Sequence, residues 1–141
     1  MLAGKDTDSR SCCQEIARMG LLHVKAMGRI GKQEVRALLY ESDALVLASR
    51  SEVQPLVLLE AMSTGIPVVS TECIPQNLRI EGGSTIVPIA DAEALATAMK
   101  QVMEKKDSDG RKISESVRQT ASLNVVGQKL SNVFSDILAS T

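Results

Sequence analysis

Apolar runs of strand length alternate with amphipathic stretches of helix length along this chain, and that alternation constrains its fold more than any other feature. Residues 21–27 (LLHVKAM) read as a strand closed by Gly28. Residues 31–42 follow as a helix with Val35, Leu38 and Leu39 on one face. Residues 43–49 (DALVLAS) are almost continuously apolar, as expected of a central strand covered on both faces. Residues 55–62 suit a helix, with Pro55 at its first position and Gly65 just past its end. Residues 66–70 and 85–87 read as further strands, and Asp91 as the N-cap of a helix carrying Leu95, Met99, Val102 and Met103. Strict strand–helix order predicts an α/β chain: a three-layer, Rossmann-like parallel sheet with helices on both faces.

The flanks are read in the same terms. Met1, Leu2, Ala3 and Gly4 look like the end of a strand, followed by a helix capped by Asp8 or Ser9 and ending at Gly20. The domain is therefore expected to lack its first βα unit. Residues 105–112 are polar, contain Gly110 and read as a hinge. The last predicted helix, 123–138, carries Leu123, Val126, Leu130, Val133, Phe134, Ile137 and Leu138 in one stripe that is expected to face the core. The domain organisation expected is 1–105 as a Rossmann-like domain and 106–141 as a hinge plus a helix packed on it.

Composition removes several classes of function. Sixteen basic and seventeen acidic residues give a net charge of -1, without the basic surface a nucleic-acid binder needs. Tyr40 and Phe134 are the only aromatic residues, too few for base-stacking or aromatic sugar platforms. The core is left to Leu, Val, Ile, Ala and Met, and all six Met residues are expected to fill it. Cys12, Cys13 and Cys73 make neither a disulfide framework nor a metal site, and are read as reduced thiols. With no span-length apolar run and no basic leader, the expected location is the cytoplasm. In a full-length protein it extends to the periphery of the membrane's inner face.

Open parallel sheets bind ligands beyond the carboxyl ends of their strands, which directs attention to the residues after Gly4, Met27, Ala48 and Ser70. The richest stretch is SRSEVQPLVLLEAM, residues 49–62, with Glu52 in a loop and Glu60 inside the following helix. The first turn of that helix offers free N–H groups and the positive end of a dipole, an anion site to which Gln54, Leu56 and Val57 contribute donors. Helical side chains lean toward the N-terminus, so Glu60 reaches back toward the same place. A diphosphate flanked by hydroxyl-rich groups, as in a nucleotide sugar, suits that set.

The same stretch resembles the signature of the GT-B retaining glycosyltransferases of family 4 (glycosyltransferase group 1): Glu52 and Glu60 spaced by seven residues, then Ala61, Met62, Gly65, Pro67, Val68 and Val69. Gly28, Arg29 and Ile30, then Leu38, Leu39 and Tyr40, and Ser42, Asp43 and Ala44, also follow the family. The likeness covers residues 1–105 and, more loosely, the final helix. It implies the C-terminal half of a GT-B fold. Glu52 would hold a hydroxyl of the donor sugar near the reacting carbon, and Glu60 the ribose. The stretch from Ser51 through Gln54, Pro55, Leu56 and Val57 would line the diphosphate, and the backbone of Gly28, Arg29 and Ile30 would border the base. It further implies a UDP- or GDP-linked donor, retention at the anomeric carbon and no obligatory metal or cofactor. The acceptor, a glycan or lipid, would be bound by a second Rossmann-like domain. Neither that domain nor the family's Arg/Lys pair can be placed in these residues, so the isolated chain is expected to be inactive. Many relatives carry Gly-Phe-Gly where Val53, Gln54 and Pro55 stand. An alternative is a non-catalytic nucleotide-binding or structural α/β module. A signalling receiver domain fits less well, since no Asp follows the strand at Ala48. His23 is read as a core or surface residue and Arg50 as either a phosphate contact or a solvated surface residue, and an exposed sheet edge offers a route to a homo-oligomer.

Overall fold

The computed structural model describes residues 1–105 and 109–139. They form two compact units, 1–38 and 39–141. In the first, Ser9 caps α1 (Arg10–Arg18), its side chain accepting from the Cys12 N–H. The helix ends at Gly20 in a paired C-terminal cap: the Gly20 N–H donates to the Ala17 carbonyl and the Leu21 N–H to that of Ile16.

That cap explains the first departure from expectation. Leu21 is consumed by it, and the Val24 N–H turns back to the Leu21 carbonyl, so residues 21–24 cannot extend. Leu22 is 91% exposed. Of the strand predicted at 21–27, only a parallel bridge between Leu2 and Ala26 survives. It is carried by Leu2 N–H to Lys25 carbonyl at 2.8 Å and Met27 N–H to Leu2 carbonyl at 2.9 Å. The expected strand character of Leu2 to Gly4 is thereby present in this short form. Helix α2 (Lys32–Glu41) begins with the Gly31 N–H donating to Glu34 Oε2 at 2.8 Å, half of a capping box.

In the second unit, β1 (Leu45–Leu47), β2 (Val68–Thr71) and β3 (Ser84–Val87) form a parallel sheet in the order β1-β2-β3. Leu45 pairs with Val68, and Val68 in turn with Ser84. The 43–49 run was expected to be central. Within this sheet it is an edge strand, and β2 is the middle one, with all four residues buried. Alternation along β2 then assigns the faces. Val69 joins Val87 and Ala98 in a cluster covered by α4 (Ala92–Glu104), with Leu95 and Val102 packed on it. The opposite face, which carries Ser84, meets Met62 of α3 (Leu56–Ser63) through a Ser84 Oγ–Met62 Sδ contact of 3.5 Å. Helices therefore cover both faces.

Beyond α3 lies a helix that the pattern of apolar residues did not predict, α5 (Gly110–Ala121), capped by Asp109. Only Ile113 and Val117 of it are buried, one helical turn apart among polar neighbours, which leaves little periodicity to read. It packs against α3. Gly110 and Gly65 meet there backbone to backbone, and a Cβ on either would stand 2.9 Å from the other's carbonyl oxygen. Gly65 also needs its φ of +92°, which favours glycine. Of the hinge expected at 105–112, residues 106–108 lie outside the described residues, and Gly110, Arg111 and Lys112 form the first turn of α5.

The core is aromatic-free, as composition required, with Leu58, Ala61, Met62, Val68 and Val69 fully buried. Two expectations about filling are overturned. Met62 alone of the methionines is in the core, while Met1, Met19, Met99 and Met103 are exposed. The apolar stripe of α6 (Leu123–Ala139) does not face the core: the helix buries no residue. Once α5 covers the apolar side of α3, that side has no room for α6.

Candidate functional site

The carboxyl ends of β1 and β2 are bound together by side chains. The Ser49 carbonyl accepts from Thr71 Oγ1 at 2.5 Å and from Cys73 Sγ at 3.4 Å. Ser70 Oγ donates to the Leu47 carbonyl at 3.3 Å. A loop leaving a strand in this way starts from a fixed point. Ser49 uses its hydroxyl to hold the next acidic side chain, donating to Glu52 Oε1 at 2.6 Å. A hydroxyl donating to a carboxylate is a charge-assisted bond of short length, which orients the carboxylate before any ligand arrives.

Three residues further on, α3 begins. Pro55 is its N-cap rather than its first residue, with φ -75° and ψ 90° and no side-chain cap. A proline there removes a donor the helix would not have used. The Leu58 N–H turns back to the Pro55 carbonyl at 3.1 Å. This leaves Leu56 and Val57 as the first-turn donors, with Gln54 outside the helix. Pro55 is buried and Val57 half-buried, whereas Ser51, Gln54 and Leu56 are exposed. Val53 is 90% exposed, so its side chain points to water. It does not fill the space over the loop backbone.

Glu60 lies on the exposed face of α3, one turn after Leu56 and opposite the buried Leu58, Ala61 and Met62. Its exposure is dictated by the apolar residues around it, which can be buried on one side only. Glu52, Gln54, Pro55, Leu56, Val57 and Glu60 thus share one loop–helix segment leaving the carboxyl end of β1. Gly28, Arg29 and Ile30 belong to the first unit. Gly28 there has φ +66°, which favours glycine, and donates its N–H to Thr7 Oγ1 at 3.0 Å; a Cβ on it would meet the exposed Asp8 carboxylate. Arg29 and His23 are exposed and Ile30 is half-buried.

Sequence reasoning directed attention to the residues after Ala48 and Ser70 but did not single out Ser49 and Thr71, which build the support under Glu52. The available signal was a serine three residues before the acidic one, a spacing at which a hydroxyl reaches a nearby carboxylate. Among the described residues no group of three or more His, Cys, Asp or Glu side chains is placed to hold a metal ion. No helix among them is long and apolar enough to cross a membrane.

Parallel α/β sheets bind ligands beyond the carboxyl ends of their strands, where this chain places its two glutamates, and comparison with known proteins narrows the class. Residues 1–105 match the family model described as glycosyl transferases group 1, and the chain belongs to that family. The amylovoran biosynthesis glycosyltransferase AmsK of Erwinia amylovora is 33% identical over 84 residues, covering 54% of this chain and 21% of that protein. N-acetyl-alpha-D-glucosaminyl L-malate synthase of Bacillus anthracis is 28% identical over 115 residues, covering 77% of this chain and 30% of that protein. Among solved structures, Anabaena Alr3699/HepE in complex with UDP-glucose superposes with a TM-score of 0.77 at 21% identity, over 96% of this chain and 40% of that one. Sucrose-phosphate synthase from Thermosynechococcus elongatus gives a TM-score of 0.73 at 21% identity, over 99% of this chain and 38% of the other. The fold is the Rossmann-like half of a GT-B glycosyltransferase. The chain spans well under half the length of each relative named here.

Proposed function

We propose that this chain is the donor-binding portion of a retaining glycosyltransferase that moves a sugar from a UDP- or GDP-sugar to a glycan or lipid acceptor. The observation that carries the proposal is the Ser49–Glu52 bond at the carboxyl end of β1, immediately before a helix whose start has no side-chain cap. Departure of a nucleoside diphosphate builds negative charge on phosphate and positive character on the anomeric carbon. The Leu56 and Val57 N–H groups at the positive end of α3 suit the first. A pre-oriented Glu52 carboxylate suits the second, and it also accepts from a sugar hydroxyl. Glu60, exposed on the same helix, accepts from the ribose hydroxyls. For Gly28, Arg29 and Ile30 the proposal is the backbone contact to the base that family resemblance implies. No metal is required in this scheme. The acceptor domain and the cationic pair that meets leaving-group charge would come from outside these residues, and without them the chain turns over no donor.

The test is calorimetric titration with UDP, GDP and their sugars. Glu60→Gln should weaken the free nucleotide and its sugar conjugate equally, by about tenfold, the loss of a hydrogen bond to a charged group. Glu52→Gln should weaken only the conjugate. A chain that binds no nucleotide, together with a full-length protein indifferent to Glu60→Gln, would overturn the assignment in favour of a structural α/β module.

A further inference from the structure

Main-chain pairing between β1 and β2 ends at Leu47 and Ser70, short of the Ser49 carbonyl. Beyond that point the carbonyl is held by side chains of the other strand. Thr71, 4% exposed, donates its hydroxyl proton to it at 2.5 Å, and Cys73 Sγ stands 3.4 Å away. A hydroxyl has one proton to give. With that proton committed, Thr71 Oγ1 is left as an acceptor, and Cys73 Sγ lies 3.3 Å from it. The single thiol proton is thus shared between the Ser49 carbonyl and Thr71 Oγ1. Cys73 is itself held in place. Ile74 beside it is buried, and Arg79 Nη2 donates to the Glu72 and Ile74 carbonyls on either side of it, at 2.7 and 3.2 Å.

We infer that Thr71 and Cys73 are positioning residues for the donor sugar, acting through Ser49 on Glu52. The inference rests on the donor reading proposed above and gives β2, which touches no donor in that reading, a part in it. A carbonyl shares its rigid peptide plane with the next residue, so pinning the Ser49 carbonyl fixes the direction in which the loop leaves β1. The Ser49 hydroxyl is then presented to Glu52 three residues on, where it donates at 2.6 Å. A carboxylate aimed in advance by such a relay gives up fewer rotamers when it accepts from a sugar hydroxyl. Glu60, assigned to the ribose, lies on α3 outside the relay. The relay therefore acts on the sugar and not on the nucleotide. Valine has nearly the shape of threonine and suits a buried strand equally well, so Thr71→Val deletes the donor without opening a cavity.

Calorimetric titration of the 141-residue chain with UDP, UDP-glucose, GDP and GDP-mannose tests the inference, with far-UV circular dichroism to show that each variant is folded. Thr71→Val should weaken the sugar conjugate about tenfold, the size of one lost hydrogen bond, and leave the free nucleotide unchanged. Thr71→Ser keeps the hydroxyl and should restore the parent affinity. Cys73→Ala should act in the same direction by about threefold, since a thiol is a weak donor, and Cys73→Ser should not. In a Glu52→Gln background Thr71→Val should cost nothing further, because it acts only through that carboxylate. Amide relaxation reads the relay without a ligand: order parameters of residues 49–52 should fall from about 0.85 toward 0.6 in Thr71→Val and recover in Thr71→Ser. Unchanged order parameters, a loss shared equally by nucleotide and conjugate, or effects additive with Glu52→Gln would each overturn the positioning role and leave the donor assignment standing. A parent chain that binds none of these ligands would instead overturn the donor reading, and the positioning role with it.

Discussion

Residues 1–38 and 39–141 hold themselves together by different means. In the first unit Gly28 is the only buried residue, and the structure rests on main-chain bonds and on Thr7, which accepts from the Gly28 N–H and donates to the Gly4 carbonyl. In the second, Leu58, Ala61, Met62, Val68 and Val69 are sealed from water on both faces of a sheet. Hydrogen bonds exchanged with solvent contribute little net free energy each, whereas a buried aliphatic side chain contributes a few kcal/mol. Resistance to unfolding is therefore concentrated in the second unit, which also carries the loop–helix segment with the two glutamates.

The contrast is broken most directly in that core. Leu58→Ala removes a fully buried side chain and should cost about 2–5 kcal/mol, read from the midpoint of urea unfolding. If instead Leu58→Ala changes the midpoint no more than an exposed substitution does, the packed core is not what stabilises this unit. Gly65→Ala should cost about 1–3 kcal/mol by the same measurement, because it combines a strained φ with contact on the Gly110 carbonyl. Gly110→Ala tests the same crossing from the other side, without the positive φ.

A smaller effect belongs to the helix cap over the other face. Asp91 accepts from the Ala94 N–H at 2.8 Å, and Asp91→Ala should lower stability by about 1 kcal/mol, a shift of a few degrees in thermal unfolding. In the first unit, Leu22→Ala should stay within about 0.5 kcal/mol of the parent despite deleting a large apolar side chain. The smallest expected effect depends on pH. The Lys112 backbone N–H and side chain beside Asp109 hold its carboxyl below the ordinary aspartate range. The folded value lies below the unfolded one, so the contribution is complete above the ordinary aspartate value. It disappears as pH falls through the folded value. Asp109→Asn should flatten that acid limb, its small cost appearing at neutral pH and vanishing in acid.

How much of this was readable in advance differs between the same two regions. In the second unit, helix caps and strand runs were explicit: Asp91, Gly65 and the β2 and β3 segments stand where their residue types require. The loop–helix segment with Glu52 and Glu60 was legible because its order of residues is dense with meaning. What failed was anything decided by competition between neighbours. The 21–27 run is apolar enough for a strand, but the cap after α1 takes Leu21 first. The α6 stripe is apolar enough for a core, but α5, nearly silent in sequence with only Ile113 and Val117, holds that place. Ser49 was passed over because its importance lies in three bonds, one from its hydroxyl and two to its carbonyl, and a one-letter code shows none of them.

The glycine crossing between α3 and α5 has a consequence for how the protein is made. The family match ends at residue 105, yet the apolar side of α3 is closed by Ile113 and Val117, which a ribosome delivers only afterwards. Until they emerge, a nascent chain already holding its sheet and its two glutamates keeps Leu58 and Met62 wet. A gene trimmed at the edge of the shared region would encode every residue proposed here to hold the donor, and would still yield a polypeptide that cannot finish folding.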